Sequence, residues 1–322
     1  WSELFYIQEA IMKKYLTFIS ILFIISSVLI ACGNQKDTSN DKKKSATVTV
    51  TDARGEKVDI PANPKRIADI SGSSEELIIL GHKLVATANS DSYDYTKPAP
   101  YIKDQLKDAK IVGYYMVDKV DVEAILQTQP DLIIVSKRHL KSVDQLKKIA
   151  PVIVLDEGLT KWKQRFKQIG TIFGQEKEVN DWLAKYDAKA TEIGNDIKKK
   201  TGKGTVLTLL ADEKNTYTFG NEGLGQIVND DMKLPRPEGA SKNTGTSQIN
   251  LENISKLNPD VLIVVSSKGA QAELEISSIW NGLKAVKNKN VYYFPNQPYF
   301  GQSFLPIGKD KLLDDLKDKM AK

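Results

Sequence analysis

A fifteen-residue pattern that occurs twice constrains this chain more than any other feature. DVEAILQTQPDLIIV (121–135) returns as NLENISKLNPDVLIV (250–264), with Asp121 and Asn250 129 residues apart. Each copy has a polar cap, a short helix with a glutamate as its second residue (Glu123, Glu252), a Pro-Asp turn and an unbroken apolar run. A strand without polar alternation is buried on both faces, as in a parallel sheet flanked by helices. The interval between copies is a domain length, so the pattern predicts two α/β lobes of similar design and not a solenoid. Between them, Val179, Trp182, Leu183, Tyr186, Ala190, Ile193 and Ile197 recur at three- and four-residue steps, which predicts one helix over Gln175–Lys200. At 1.5 Å per residue it is about 39 Å long, and a single rigid connector allows little hinge motion.

The N-terminal region carries a different message. Lys13 and Lys14 precede roughly 16 apolar or small residues, a secretory-signal layout too short for a membrane span. The run ends at Ala31-Cys32 and resembles a bacterial lipobox, whose cysteine is lipidated. Cys32 is the only cysteine of the 322 residues, so the fold is expected to stand without disulfides. The expected organisation is an upstream, non-native segment over 1–11, a lipoprotein signal over 12–31 and a lipidated flexible tether over 32–46. An N-terminal lobe (47–173), the connecting helix (174–203) and a C-terminal lobe (204–322) follow. Localisation on the extracellular face of a cell membrane follows from the anchor. Thr47–Ile60 reads as a hairpin turning at Asp52-Ala53-Arg54-Gly55. Ser73 is expected to cap a helix whose first turn holds Glu75 and Glu76, with Gly81 closing it.

These segments together resemble the siderophore-binding lipoproteins of ABC-type iron importers, relatives of the iron-hydroxamate and cobalamin binding proteins. The resemblance rests on Asn63–Ile67, Ser73–Gly81, Val112-Gly113, Asp121–Val135, Ile149–Pro151 and Ser278–Val291, and covers residue 47 to the C-terminus. It implies two α/β lobes bridged by one long helix, with a ligand cleft between them. It implies further that Glu123 and Glu252 dock onto arginines of a membrane permease, one per lobe, as bidentate carboxylate–guanidinium pairing allows. Arg138, in Ser136-Lys137-Arg138, matches an arginine that contacts anionic siderophores. Tyr114, Tyr115, Tyr217, Tyr299 and Phe300 match loops lining the cleft, where aromatic faces suit a bulky chelate. Several relatives carry an arginine soon after the Tyr217–Gly220 segment. Here Asn221–Gly225 supplies none and Arg236 is the nearest, which favours a hydroxamate or citrate-hydroxamate ligand over a tris-catecholate.

Chemistry-bearing motifs outside this pattern are few. There is no Gly-x-Ser-x-Gly elbow, P-loop or His-Glu-x-x-His, so an enzyme is not expected. Two histidines, His82 and His139, are too few for a histidine-based metal centre. His82 reads as a solvated cap residue, and Trp162 and Trp280 read as packing. Iron is therefore expected already wrapped in a chelator, with no resident metal or cofactor. A net charge of +5 is scattered and does not point to nucleic acid. The expected partners are the ferric siderophore, a permease with its ATPase, and the membrane; the protein is expected to be a monomer. Heme or cobalamin binding on the same architecture is the alternative.

Overall fold

The computed structural model describes residues 46–321 apart from 159 and 203. Cys32 and the signal expected over 12–31 lie outside the described residues. The first lobe begins with an antiparallel hairpin, β1 (Thr47–Thr51) and β2 (Lys57–Pro61), turning at Gly55 with φ +78°. Asp52 fixes the turn and docks it. Its carboxylate accepts from Arg54 Nε and N, both at 2.8 Å, and from Val154 N at 3.1 Å; against the opposing effect of burial these bonds, the Arg54 side chain's foremost, hold its pKa below the usual carboxylate value.

Five parallel strands form the first sheet: β3 (Ile67–Asp69), β4 (Leu84–Thr87), β5 (Lys110–Ile111), β6 (Leu132–Ser136) and β7 (Val152–Leu155), in the order β5-β4-β3-β6-β7. The second sheet, β10-β9-β8-β11-β12, holds β8 (Val206–Ala211), β9 (Thr216–Phe219), β10 (Thr246–Gln248), β11 (Val261–Ser266) and β12 (Val291–Pro295). Strands β8, β11 and β12 are parallel, but β9 folds back on β8 as an antiparallel hairpin and β10 continues it. The two repeats supply β6 and β11, each fully buried, in separate sheets. The helices before them are capped alike. Asp121 accepts from Ala124 N and Asn250 from Asn253 N, both at 2.9 Å.

Seven helices matter below: α1 (Ser74–Ile79), α2 (Val122–Gln127), α3 (Trp162–Phe173), α4 (Glu176–Thr201), α5 (Leu251–Leu257), α6 (Asn296–Gln302) and α7 (Pro306–Met320). The 26-residue connector α4 buries Val179, Leu183, Tyr186, Ala190, Ile193 and Ile197, the stripe its periodicity predicts, while Trp182 is partly buried against the same core. Gly194 belongs to that stripe because a Cβ there would lie 2.0 Å from Met232 O. Helix α7 is a second bridge. It follows the second sheet in sequence yet packs on both α4 and α1 of the first lobe.

Two local expectations differ from the structure. Ser73 makes no side-chain cap to α1; its hydroxyl pairs with Ser71 Oγ at 2.7 Å, inside a buried serine network around Asp69. His82 is not simply solvated: Gly81 (φ +82°) turns the chain so that its ring lies 4.3 Å from Phe173 and bonds Gln175 at 2.7 Å.

Candidate functional site

In a parallel α/β sheet, the loops after the strands form a crevice at the carboxyl edge, deepest where strand order reverses. In the first sheet that reversal lies between β3 and β6. Following the sheet order, the edge presents Tyr114-Tyr115 after β5, Asn89–Asp91 after β4, Ile70–Ser73 after β3, Ser136–Arg138 after β6, and Asp156-Glu157 after β7. The second lobe covers this row. Gln297, just after β12, donates to Asp91; Gln226 Nε2 donates to Thr160 O at 2.8 Å. Among the described residues, a groove and a small cavity open between the lobes. A groove of about 680 Å³ is bordered by Lys137, Asp156, Glu157, Lys161 and Arg165 from the first lobe and Thr244 from the second. A cavity of about 20 Å³ lies by Asn89, Tyr114 and Tyr115, closed by Gly301 and Leu305. The larger space is of a size that suits a small-molecule ligand.

The structure brings four of the six ligand candidates to or near this row. Tyr114 and Tyr115 are buried with ring centroids 5.0 Å apart, and Tyr114 stacks on the exposed Tyr95 at 4.6 Å. Tyr115 packs across Gly72, where a Cβ would meet its ring at 2.6 Å. Phe300 joins the cores of both lobes, 6.4 Å from Phe219 and 5.3 Å from Phe304. Arg138 stands beside the groove, held by Glu157 at 3.1 Å and Asp118 at 3.6 Å. Tyr299 turns elsewhere: its ring lies 5.1 Å from Phe294, and burial, then the nearby Asp315 carboxylate of α7, push its phenol up to about 12. Tyr217 is a half-buried residue of β9, opposite Leu210 and Gln248. Arg236 donates to Gly220 O and Ser241 O, clamping two loops of the second lobe.

Charges at the edge are largely paired. Lys137 meets Asp156 at 2.6 Å. His139 is buried between Ser136 and Val117 O, and burial lowers its pKa, so the ring is neutral at pH 7. No group of three or more His, Cys, Asp or Glu side chains among the described residues is arranged to hold a metal ion.

Beneath the row lies a set of buried charges that no motif or periodicity marks. Arg165 of α3 is 2% exposed and donates to Glu76 Oε1 through Nε (2.9 Å) and Nη2, and to Gly72 O at 3.2 Å. Glu75 is fully buried and accepts from Tyr101 (2.6 Å), Ile307 N (2.6 Å) and Gly308 N (3.0 Å), so a first-lobe carboxylate caps α7. Lys309, also buried, donates to Gln226 Oε1 at 3.0 Å and lies 5.6 Å from the Trp162 ring; burial lowers its pKa to about 8. Lys163 reaches Asp187 (2.6 Å) and Asp231 (2.8 Å), and Tyr186 also donates to Asp231 at 2.9 Å. These contacts join both lobes to α4 and α7.

Glu123 and Glu252 are exposed in the first turns of α2 and α5. Each helix runs toward the start of the strand that follows it, so each glutamate lies near the carboxyl edge of its own sheet. Glu252 also borders a separate groove of about 570 Å³ with Asp212–Thr216 and Glu273, on the second lobe alone.

A family model described as periplasmic binding protein matches residues 70–298. The chain is 30% identical over 300 residues to the probable siderophore-binding lipoprotein YfiY of Bacillus subtilis, covering 87% of this chain and 90% of that protein. It is 28% identical over 319 residues to the iron(3+)-hydroxamate-binding protein FhuD of the same organism, covering 95% and 96%. The crystal structure of Staphylococcus aureus SirA complexed with staphyloferrin B superposes with a TM-score of 0.66 at 29% identity, over 84% of this chain and 98% of that one.

Proposed function

The chain belongs to the periplasmic binding protein family, and from that premise we propose that it captures a ferric siderophore of hydroxamate or citrate-hydroxamate type for an ABC importer. In this reading Cys32 carries the lipid anchor at the cell surface, and Glu123 and Glu252 present the loaded protein to the permease. The ligand's own oxygens fill the iron shell, so the protein reads outer shape and charge. The chain performs no reaction on its cargo.

One observation carries the choice of ligand: Arg138 is already held by Glu157 and Asp118. A guanidinium paired with two carboxylates leaves little field for a polyanion, and Lys137 is likewise tied to Asp156. A ferric tris-hydroxamate core is neutral, because three hydroxamate anions cancel the ferric charge; a tris-catecholate core is strongly negative. The edge suits the neutral core, with Tyr114 and Phe300 beside it for the apolar linkers.

Quenching of intrinsic tryptophan fluorescence tests this with ferrioxamine B, ferric aerobactin, ferric enterobactin and heme. The expected order is ferrioxamine B tightest and ferric enterobactin at least about tenfold weaker, a difference of about 1.4 kcal/mol, with the anionic ferric aerobactin between them. Tightest binding of enterobactin overturns the ligand class. Heme binding with a Soret shift and no response to any siderophore overturns the cargo.

A further inference from the structure

Asn89 stands out among the buried polar groups. It is 1% exposed, yet neither its Oδ1 nor its Nδ2 has a hydrogen-bond partner, and the neighbouring Ser90 Oγ, on a residue 3% exposed, has none either. A buried polar group without a partner is destabilising, and native proteins keep few of them. The backbone of Asn89 is nonetheless firmly held. Its N–H donates to Thr87 Oγ1 at 3.0 Å, its carbonyl accepts from Ala99 N at 3.2 Å, and Ser90 forms a bridge with Pro98. Both residues line the small cavity between the lobes, next to Tyr114 and under Leu305 of the second lobe.

Resting on the siderophore reading above, we propose that Asn89 and Ser90 form a specificity subsite for an uncharged amide in the periphery of the chelate. A carboxamide offers an NH2 with two donor hydrogens, an acceptor oxygen and no charge. In so small a space the amide carbonyl is the group that enters, accepting from Asn89 Nδ2 or from the Ser90 hydroxyl. The cavity, about 20 Å³, has room for one water-sized polar group. It excludes the iron-bearing core and admits only the edge of a linker. The subsite therefore selects among hydroxamates: chelates whose linkers carry amides gain from it, and chelates with purely hydrocarbon linkers leave Asn89 unpaired.

The test compares ferrioxamine B, which has amide linkers, with a synthetic ferric trihydroxamate in which hydrocarbon segments replace those amides. Wild type is expected to bind ferrioxamine B at least about tenfold tighter. Asn89→Leu, of similar shape, is expected to bind both chelates equally and to melt at or above the wild-type temperature, because it removes only unpaired atoms. Ser90→Ala is expected to lose part of the preference. Equal binding of the two chelates by wild type overturns the subsite without recourse to any variant. So does an Asn89→Leu protein that keeps the preference, or one that melts well below wild type, which would make Asn89 a structural residue. If wild type binds neither chelate nor any siderophore of the panel, the functional reading fails and the subsite with it.

Discussion

Glu75 shows how a single side chain can hold distant parts of a chain together. Burial pushes its carboxyl up to about 7 from an ordinary 4.5, despite the opposing hydrogen bonds from Tyr101, Gly308 and Ile307. A group with a raised folded pKa holds its proton more tightly in the folded state. The stability it contributes is therefore complete below about 4.5 and is lost as pH rises to about 7. The loss is at most about 3 kcal/mol. Glu75→Gln mimics the protonated form, so its melting temperature relative to wild type should rise by several degrees between pH 5 and pH 8. Parallel melting curves across that range would show that Glu75 does not titrate there. Arg165 and Glu76 make the neighbouring pair, and removing either member alone would strand a buried charge.

At the level of elements, the connector is the critical piece. Gly194 lets α4 approach the Met232 carbonyl, and Gly194→Ala forces the helix and the 226–232 segment apart. Overpacking of this kind destabilises by about 1–3 kcal/mol. A fall in melting temperature should accompany it, and an unchanged one would mean that the two backbones separate freely. The connector, both repeats and the hairpin were legible from the sequence because each rests on local periodicity or turn chemistry. The antiparallel β9–β10 edge was not, since Thr216–Phe219 is too short to carry a strong pattern. Helix α7 has a readable apolar stripe in Leu312, Leu313, Leu316 and Met320, but its docking depends on Glu75, 232 residues from Ile307. Arg165 lies within an amphipathic helix, where an arginine looks like surface. Asn89 gave no signal, because an unpaired buried amide is visible only once its neighbours are placed. Arg138 was found through the resemblance, while its pairing with Glu157 and Asp118 came only from the fold.

At the scale of the molecule, each of the two five-stranded sheets holds one repeat, and each repeat bears one exposed glutamate. If Glu123 and Glu252 dock on permease arginines, reversing both to lysine should abolish iron uptake in cells and leave siderophore affinity in solution unchanged. Normal uptake by the double variant would exclude docking through this pair. The broader claim is that the cargo is gripped between the lobes and not on the face of either one. Iron gives a direct readout: an anomalous difference map at the iron edge, from crystals grown with ferrioxamine B. The account predicts one strong peak between the Tyr114 and Arg138 loops of the first lobe and the Thr244 and Phe300 segments of the second. A peak in the groove beside Glu252, or anywhere on the outer surface of one lobe, would contradict it.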